Sequence, residues 1–217
     1  MAVLPDYRPT LPALVRRRFG LPERLTVLIV VALSALGGLA MVLAQPGRET
    51  GERLIHRGDP QFNLVYDGPL RSVEPRPGEL ARIEARRGRI AVAVVVRPLT
   101  LPAYAGDVAH GLLPAFASGY VEQLAAGRPG FELREQLRAR VNDAPGYEVA
   151  FRQGSPRLRT FGRDLLLVPA EDQARGAVIL SFRQTVRGPK ALTPAEHGFA
   201  YPAKKALRSF AYGTARP

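Results

Sequence analysis

The chain has no cysteine, no tryptophan, two methionines and three histidines in 217 residues. Lack of cysteine excludes a disulfide framework, a thiolate nucleophile, a zinc ribbon and an acylated lipoprotein cysteine. It leaves the compartment open, because an exported domain of this size can fold without disulfides. Lysine is scarce as well: Lys190, Lys204 and Lys205 are the only ones, so arginine carries most of the net charge of +12. No Gly-x-Ser-x-Gly elbow occurs, and Gly154-Ser155-Pro156 reads as an ordinary turn. No glycine-rich loop opens a helix to cradle phosphate. Asp107 and His110 lie one helical turn apart, without a third metal ligand at a useful spacing. Carboxylate pairs such as Asp164 with Glu171, or Glu171 with Asp172, are matched by chance in a chain with 19 acids. The expectation is a non-enzyme, with no metal and no cofactor.

One long apolar run is present. Residues 25–44, LTVLIVVALSALGGLAMVLA, contain no charge. As a helix rising 1.5 Å per residue the run spans about 30 Å, the thickness of the hydrocarbon core. A signal peptidase could cut after Ala44, but the run exceeds the usual length of a cleaved signal core, which favours an uncleaved anchor. Arg8, Arg16, Arg17, Arg18 and Arg24 precede the run, whereas Arg48, Arg53 and Arg57 follow it. This asymmetry predicts a basic cytoplasmic tail (1–24), a single transmembrane helix (25–44) and an extracytoplasmic domain at the cell membrane. Ser34 and Gly38 form a small-xxx-small pair suited to a helix–helix contact.

Beyond the run, residues 45–60 are polar and turn-rich and read as a linker to a domain over 61–217. Strands are expected at 62–66, 80–86 and 89–96, the last two paired as a hairpin around Arg87-Gly88. The β-branched run at 90–96 suits a central strand. Val108, Leu112, Phe116, Tyr120 and Leu124 recur every four residues and predict a helix that Pro114 must kink or restart. Residues 132–141 fit either helix or strand. Arg134, Arg138 and Arg140 fall on one strand face, which tips the reading to strand. Further short strands are expected at 147–152, 158–161, 164–169 and 177–185. Thr193, Pro194 and Glu196 form a capping box for a terminal helix, which Pro202 interrupts and which resumes over 203–212.

The segments FNLVYDGPL, RPLTLPAY, PGYEVAFR, GRDLLLVP, AVILSFRQT and ALRSFAYG, in that order between residues 62 and 213, resemble the PsbP-like family. The resemblance implies an α+β fold, a central antiparallel sheet sandwiched by helices, used mostly for binding or assembly. The photosynthetic member of that family carries its functional contacts in an N-terminal extension, where this chain has the apolar run, so no binding residue carries over.

The functional expectation follows from architecture and charge. It is a membrane-tethered binding or assembly protein of the bacterial cell envelope, docking another envelope or membrane protein. Arg82, Arg86, Arg87 and Arg89 crowd one hairpin, and Arg134, Arg138 and Arg140 line one strand. Were these segments neighbours in the sheet, they would make a basic docking face. The alternative is a module that takes a small molecule or an anionic envelope polymer in a pocket between sheet and helices, and the basic surface also suits anionic lipid or polymer. The arginines are spread along the chain, which argues against nucleic acid.

Overall fold

A computed structural model describes residues 51–170 and 176–215. The tail, the expected membrane helix with Ser34 and Gly38, and the acids Glu171 and Asp172 lie outside the described residues. Among the described residues no helix is long and apolar enough to cross a membrane. The described residues belong to one compact unit, Thr50–Pro217.

The unit is α+β. Strands β1 (Glu52–His56), β2 (Phe62–Tyr66), β3 (Arg71–Val73), β4 (Ala81–Arg87) and β5 (Ile90–Pro98) come first. A π-helical turn, Val108–Leu112, leads into helix α1, Leu113–Ala126. Strands β6 (Glu132–Val141), β7 (Ala144–Ser155), β8 (Leu158–Leu167) and β9 (Val178–Arg187) follow. Helices α2 (Pro194–Gly198) and α3 (Tyr201–Arg208) and strand β10 (Ala211–Tyr212) close the chain. Two sheets result, both antiparallel: a seven-stranded one ordered β3-β4-β5-β9-β8-β7-β6, and a three-stranded one ordered β1-β2-β10.

Alternation along the strands builds a core on each face of the large sheet. Ile90, Val92, Val94 and Val96 of β5 share one face with Leu165, Leu167, Val178 and Leu180. Phe62, Leu64, Ala203, Ala206, Leu207 and Phe210, from the small sheet and the terminal segment, cover that face. On the other face Val149, Phe151, Leu166 and Ile179 pack against Val108, Leu113, Ala117 and Leu124 of the turn and α1.

Most expected elements occur within a few residues of their predicted bounds, and the differences have causes. Pro114 stands where the π-turn gives way to α1, so the proline starts a helix rather than kinking one. The strands expected at 158–161 and 164–169 are one strand, β8, because Gly162 bridges them in extended backbone. Glycine is needed there: a Cβ would come within 2.4–2.9 Å of the Phe151 ring that lies across it. The segment read as linker contributes β1, whose Leu54 packs on the core. The last helix ends at Arg208 and not at residue 212, because Ala211 and Tyr212 pair with β2. The terminal helix is interrupted as expected, but the break falls at Phe199 and Ala200, with Pro202 in the first turn of α3, and both capping-box bonds at Thr193 and Glu196 are made.

Candidate functional site

Helix α1 lies mainly over β6 and β7, and with the π-turn it also covers Leu166 of β8 and Ile179 of β9, which leaves part of this side of the large sheet open. There a recess of about 750 Å³ opens over β4, β5, β9 and β8. Its depth has a local origin. Ala91 and Ala93 point to this face of β5 and line the recess, between Arg86 and Glu84 of β4 and Thr185 and Arg183 of β9. Methyl groups there leave room that Val or Leu would fill.

The wall toward α1 is a polar network built around a buried carboxylate. Asp164 of β8 has no exposed surface. The Arg183 guanidinium donates to its two oxygens at 2.6 and 2.8 Å, and the Tyr120 hydroxyl of α1 donates at 2.8 Å. Ser181, beside Asp164 in the ladder, also hydrogen-bonds it and accepts from Arg97 at 3.3 Å. Burial alone would push the Asp164 carboxyl up, but the Arg183 charge and these hydrogen bonds hold it below its ordinary value. Tyr120 is pushed well up, by burial and by the neighbouring carboxylate. Both groups are therefore fixed at neutral pH, Asp164 charged and Tyr120 protonated. Neither is poised to exchange protons in catalysis.

The cations above this network are arranged by Phe151. Its ring lies over Gly162, the residue opposite it in the ladder, and reaches toward Arg183 in the next strand. The Arg183 guanidinium stands 4.9 Å from the ring centroid and that of Arg128 stands 5.3 Å from it. Arg128 donates to Gln153 Oε1 at 3.0 Å. Burial, and then the charge of Arg183, pulls the Arg128 guanidinium down from its usual value. A half-buried cation held beside another is an electrostatic cost, which a bound anion would relieve.

Seven arginines line the recess, against two glutamates, Glu79 and Glu84, both paired with Arg82. The positive potential is concentrated in a concavity, where a low-dielectric wall strengthens it.

The arginines singled out from the sequence divide among different roles. Arg82 and Arg86 line the recess. Arg87 is exposed at the end of β4. Arg89 clamps the terminal segment: it donates to both Glu196 oxygens at 2.7 Å and to the carbonyls of Lys190 and Ala191. Arg134 pairs with Glu132, and Arg140 donates to the Asn142 carbonyl. Arg138 is exposed. The condition for a joint basic face is not met. Strands β4 and β6 are separated by β5, β9, β8 and β7, roughly 24 Å at about 4.8 Å per strand step. Nor do Arg134, Arg138 and Arg140 share one face, because a bulge between Leu133 and Glu135 shifts the alternation. Arg97, Arg128 and Arg183 were missed from the sequence, and Asp164 was noted only as a member of a chance carboxylate pair. For the strand residues the signal was a charge set in or at the end of an apolar strand, as in DLLLV and ILSFR, whereas Arg128, in the turn after α1, carries no such signal.

Two of the three histidines, His56 and His110, make structural contacts, and His197 lines a recess on the opposite face of the sheet. His56 stacks on Phe62 at 4.8 Å. Asp107 caps the π-turn, accepting from the His110 amide at 2.9 Å and meeting its Nδ1 at 2.8 Å. Among the described residues, no three of His, Cys, Asp and Glu gather to hold a metal.

Fold and site together define an antiparallel α+β domain with a cationic recess on its sheet. No family model and no curated protein matches the chain. Solved structures are similar to it. Cyanobacterial PsbP from Synechocystis, of the family the sequence resembles, is matched over 78% of this chain and 96% of its own, with 13% identity and a TM-score of 0.46. LpqN of Mycobacterium tuberculosis, involved in cell envelope biogenesis, is matched over 76% and 92%, with 13% identity and a TM-score of 0.46. A Pseudomonas aeruginosa protein of unknown function, PA94, is matched over 69% and 99%, with 13% identity and a TM-score of 0.40. At this distance the likeness concerns the fold and assigns no activity.

Proposed function

We propose that this chain is a membrane-tethered, non-enzymatic binding protein of the cell envelope, whose outer domain docks an acidic segment of a protein partner in the recess on its sheet. The observation that carries the reading is the excess of arginine in that concavity, with Arg128 and Arg183 stacked on Phe151 and Arg97 held by Ser181. Guanidinium groups fixed in place lose little freedom when they meet carboxylates, which they bind in a bidentate manner. A recess of about 750 Å³ holds a few side chains rather than a whole domain. That size suits an extended acidic segment. The uncharged run 25–44 and its basic flank support the tether and the orientation.

The test places a photo-crosslinking residue at Val73 or Thr160, at opposite sides of the recess, in the full chain in its own host. The expected result is one envelope protein captured through an acidic segment, and lost when Arg86→Glu and Arg128→Glu are introduced together. Capture that survives the double reversal would overturn the reading.

A further inference from the structure

The opposite face of the large sheet carries a second recess of different chemistry. Helix α3, packed on β2 of the small sheet, lies over β5 and β9 of that face and leaves a groove of about 580 Å³ above β6, β7 and β8. Leu137, Ala139, Val141, Leu165 and Phe182 line the groove from the large sheet, and Leu207 of α3 closes it from above. Leu137 is 38% exposed on this face. Around the apolar surface stand Arg134, Arg140, Arg163, Lys204 and Arg208. The single acid of the lining, Glu148, is already engaged by Arg163 at 2.9 Å.

One buried polar group is turned to this groove. Gln184 of β9 is 7% exposed and lines the groove, yet its Nε2 has no hydrogen-bond partner among the described residues. A buried amide donor without an acceptor is costly, so such groups in native proteins call for an explanation. A ligand oxygen placed at this position would satisfy it.

We propose that this groove binds a single-chain anionic amphiphile, a long-chain fatty carboxylate or its close relative. The acyl chain lies on the leucine, valine and phenylalanine surface, and the anionic head meets the basic rim. Gln184 donates to an oxygen of the same molecule. The two requirements recognise different parts of it. An apolar surface alone would accept any acyl chain, and a basic rim alone would accept any small anion. Together they select a molecule that has both. The groove opens on the face opposite the arginine recess, and no described residue lines both, although Phe151, which carries the stacked arginines, also borders the groove.

The experiment uses the full chain in host membranes, labelled with a diazirine-bearing palmitate, with the adducts mapped by peptide mass spectrometry. Adducts are expected on β6 and β8. They should fall about tenfold with Ala139→Trp, which fills the groove, and by a similar factor with Arg140→Glu and Arg208→Glu together. Gln184→Leu removes the donor at nearly constant shape and should also weaken labelling. It gives the answer if the tryptophan variant fails to fold, as circular dichroism would show. The matching diazirine hexadecanol, which lacks the charge, should label the groove weakly. Palmitate adducts unchanged in the folded variants, or found only outside the groove, would overturn the proposal. Equal labelling by the alcohol would overturn its anionic half.

Discussion

Replacing Asp164 by alanine should be the most damaging single change on the arginine side of the sheet. The substitution leaves the Arg183 guanidinium without its carboxylate, and strips the Tyr120 hydroxyl and Ser181 of their partner. Removing one member of a buried, hydrogen-bonded ion pair costs about 3–5 kcal/mol. Arg183 retains 18% exposure in its side chain and can recover some hydration, which places the expected loss near the lower end, about 3 kcal/mol. With a urea dependence of about 1–3 kcal/mol per molar, the midpoint should fall by roughly 1.5 M. The assay is urea unfolding of the purified full chain in mild detergent, followed by circular dichroism. The informative companion is Asp164→Leu with Arg183→Leu. Removing both charges together should restore most of the loss, because the cost lies in stranding one charge rather than in losing the pair. A midpoint for Asp164→Ala within about 0.3 M of the parent would refute the network as a structural element. A double variant as unstable as the single one would refute the electrostatic account of it.

Two further outcomes follow from named contacts. Gly162→Ala sets a methyl group within 2.4–2.9 Å of the Phe151 ring, which is itself 2% exposed and cannot swing aside. The variant should lose about 1–3 kcal/mol, read as a lower urea midpoint, and its Arg128 and Arg183 stacking should be displaced; a neutral result would mean that the ring relaxes freely. Glu196 is held down to about 2, from an ordinary 4.5, by Arg89 and by the capping bonds at Thr193. A depressed carboxyl stabilises the fold above its unfolded value, and that contribution disappears as pH falls from about 4.5 to about 2. Glu196→Gln should therefore flatten the acid limb of a melting-temperature profile in that window, and an unchanged limb would remove Glu196 from the clamp.

How far the fold could be read from the sequence depended on whether its signals were local. The hairpin around Gly88, the β-branched strand at 90–96 and the capping box at Thr193 are written in adjacent residues, and each forms where expected. Strand β1 was missed because its pairing partner, β2, rather than its own pattern, makes ERLIH a strand. The bulge in β6 was likewise invisible, and with it went the shared face assigned to Arg134, Arg138 and Arg140. Charge clusters along the chain pointed to arginines on one hairpin and on one strand face. The recess instead draws Arg86, Arg97, Arg128 and Arg183 from strands and a helix end that meet only in the folded sheet. Strand order decides such meetings, and nothing in the residues of one strand specifies it.

Both recesses have one geometric cause. Seven strands span roughly 29 Å at about 4.8 Å per step, whereas α1, with 14 residues, is about 21 Å long and about 10 Å across. One helix therefore cannot roof a whole face, and it settles over β6 and β7. On the reverse face the small sheet and α3 settle toward β5 and β9, leaving β6, β7 and β8 less covered. The uncovered areas thus lie on opposite faces and toward opposite edges of the sheet. A bare sheet surface must be made soluble or be kept for a partner, and the two surfaces meet this demand differently. Over Ala91 and Ala93 the surroundings are arginine, threonine and serine, a surface that water or carboxylates can satisfy. Over Leu137 and Ala139 the strand keeps apolar residues exposed and places its cations at the margin. Solubility alone would have favoured polar residues there too. The apolar strip between basic margins is therefore the surface that points more directly to a ligand.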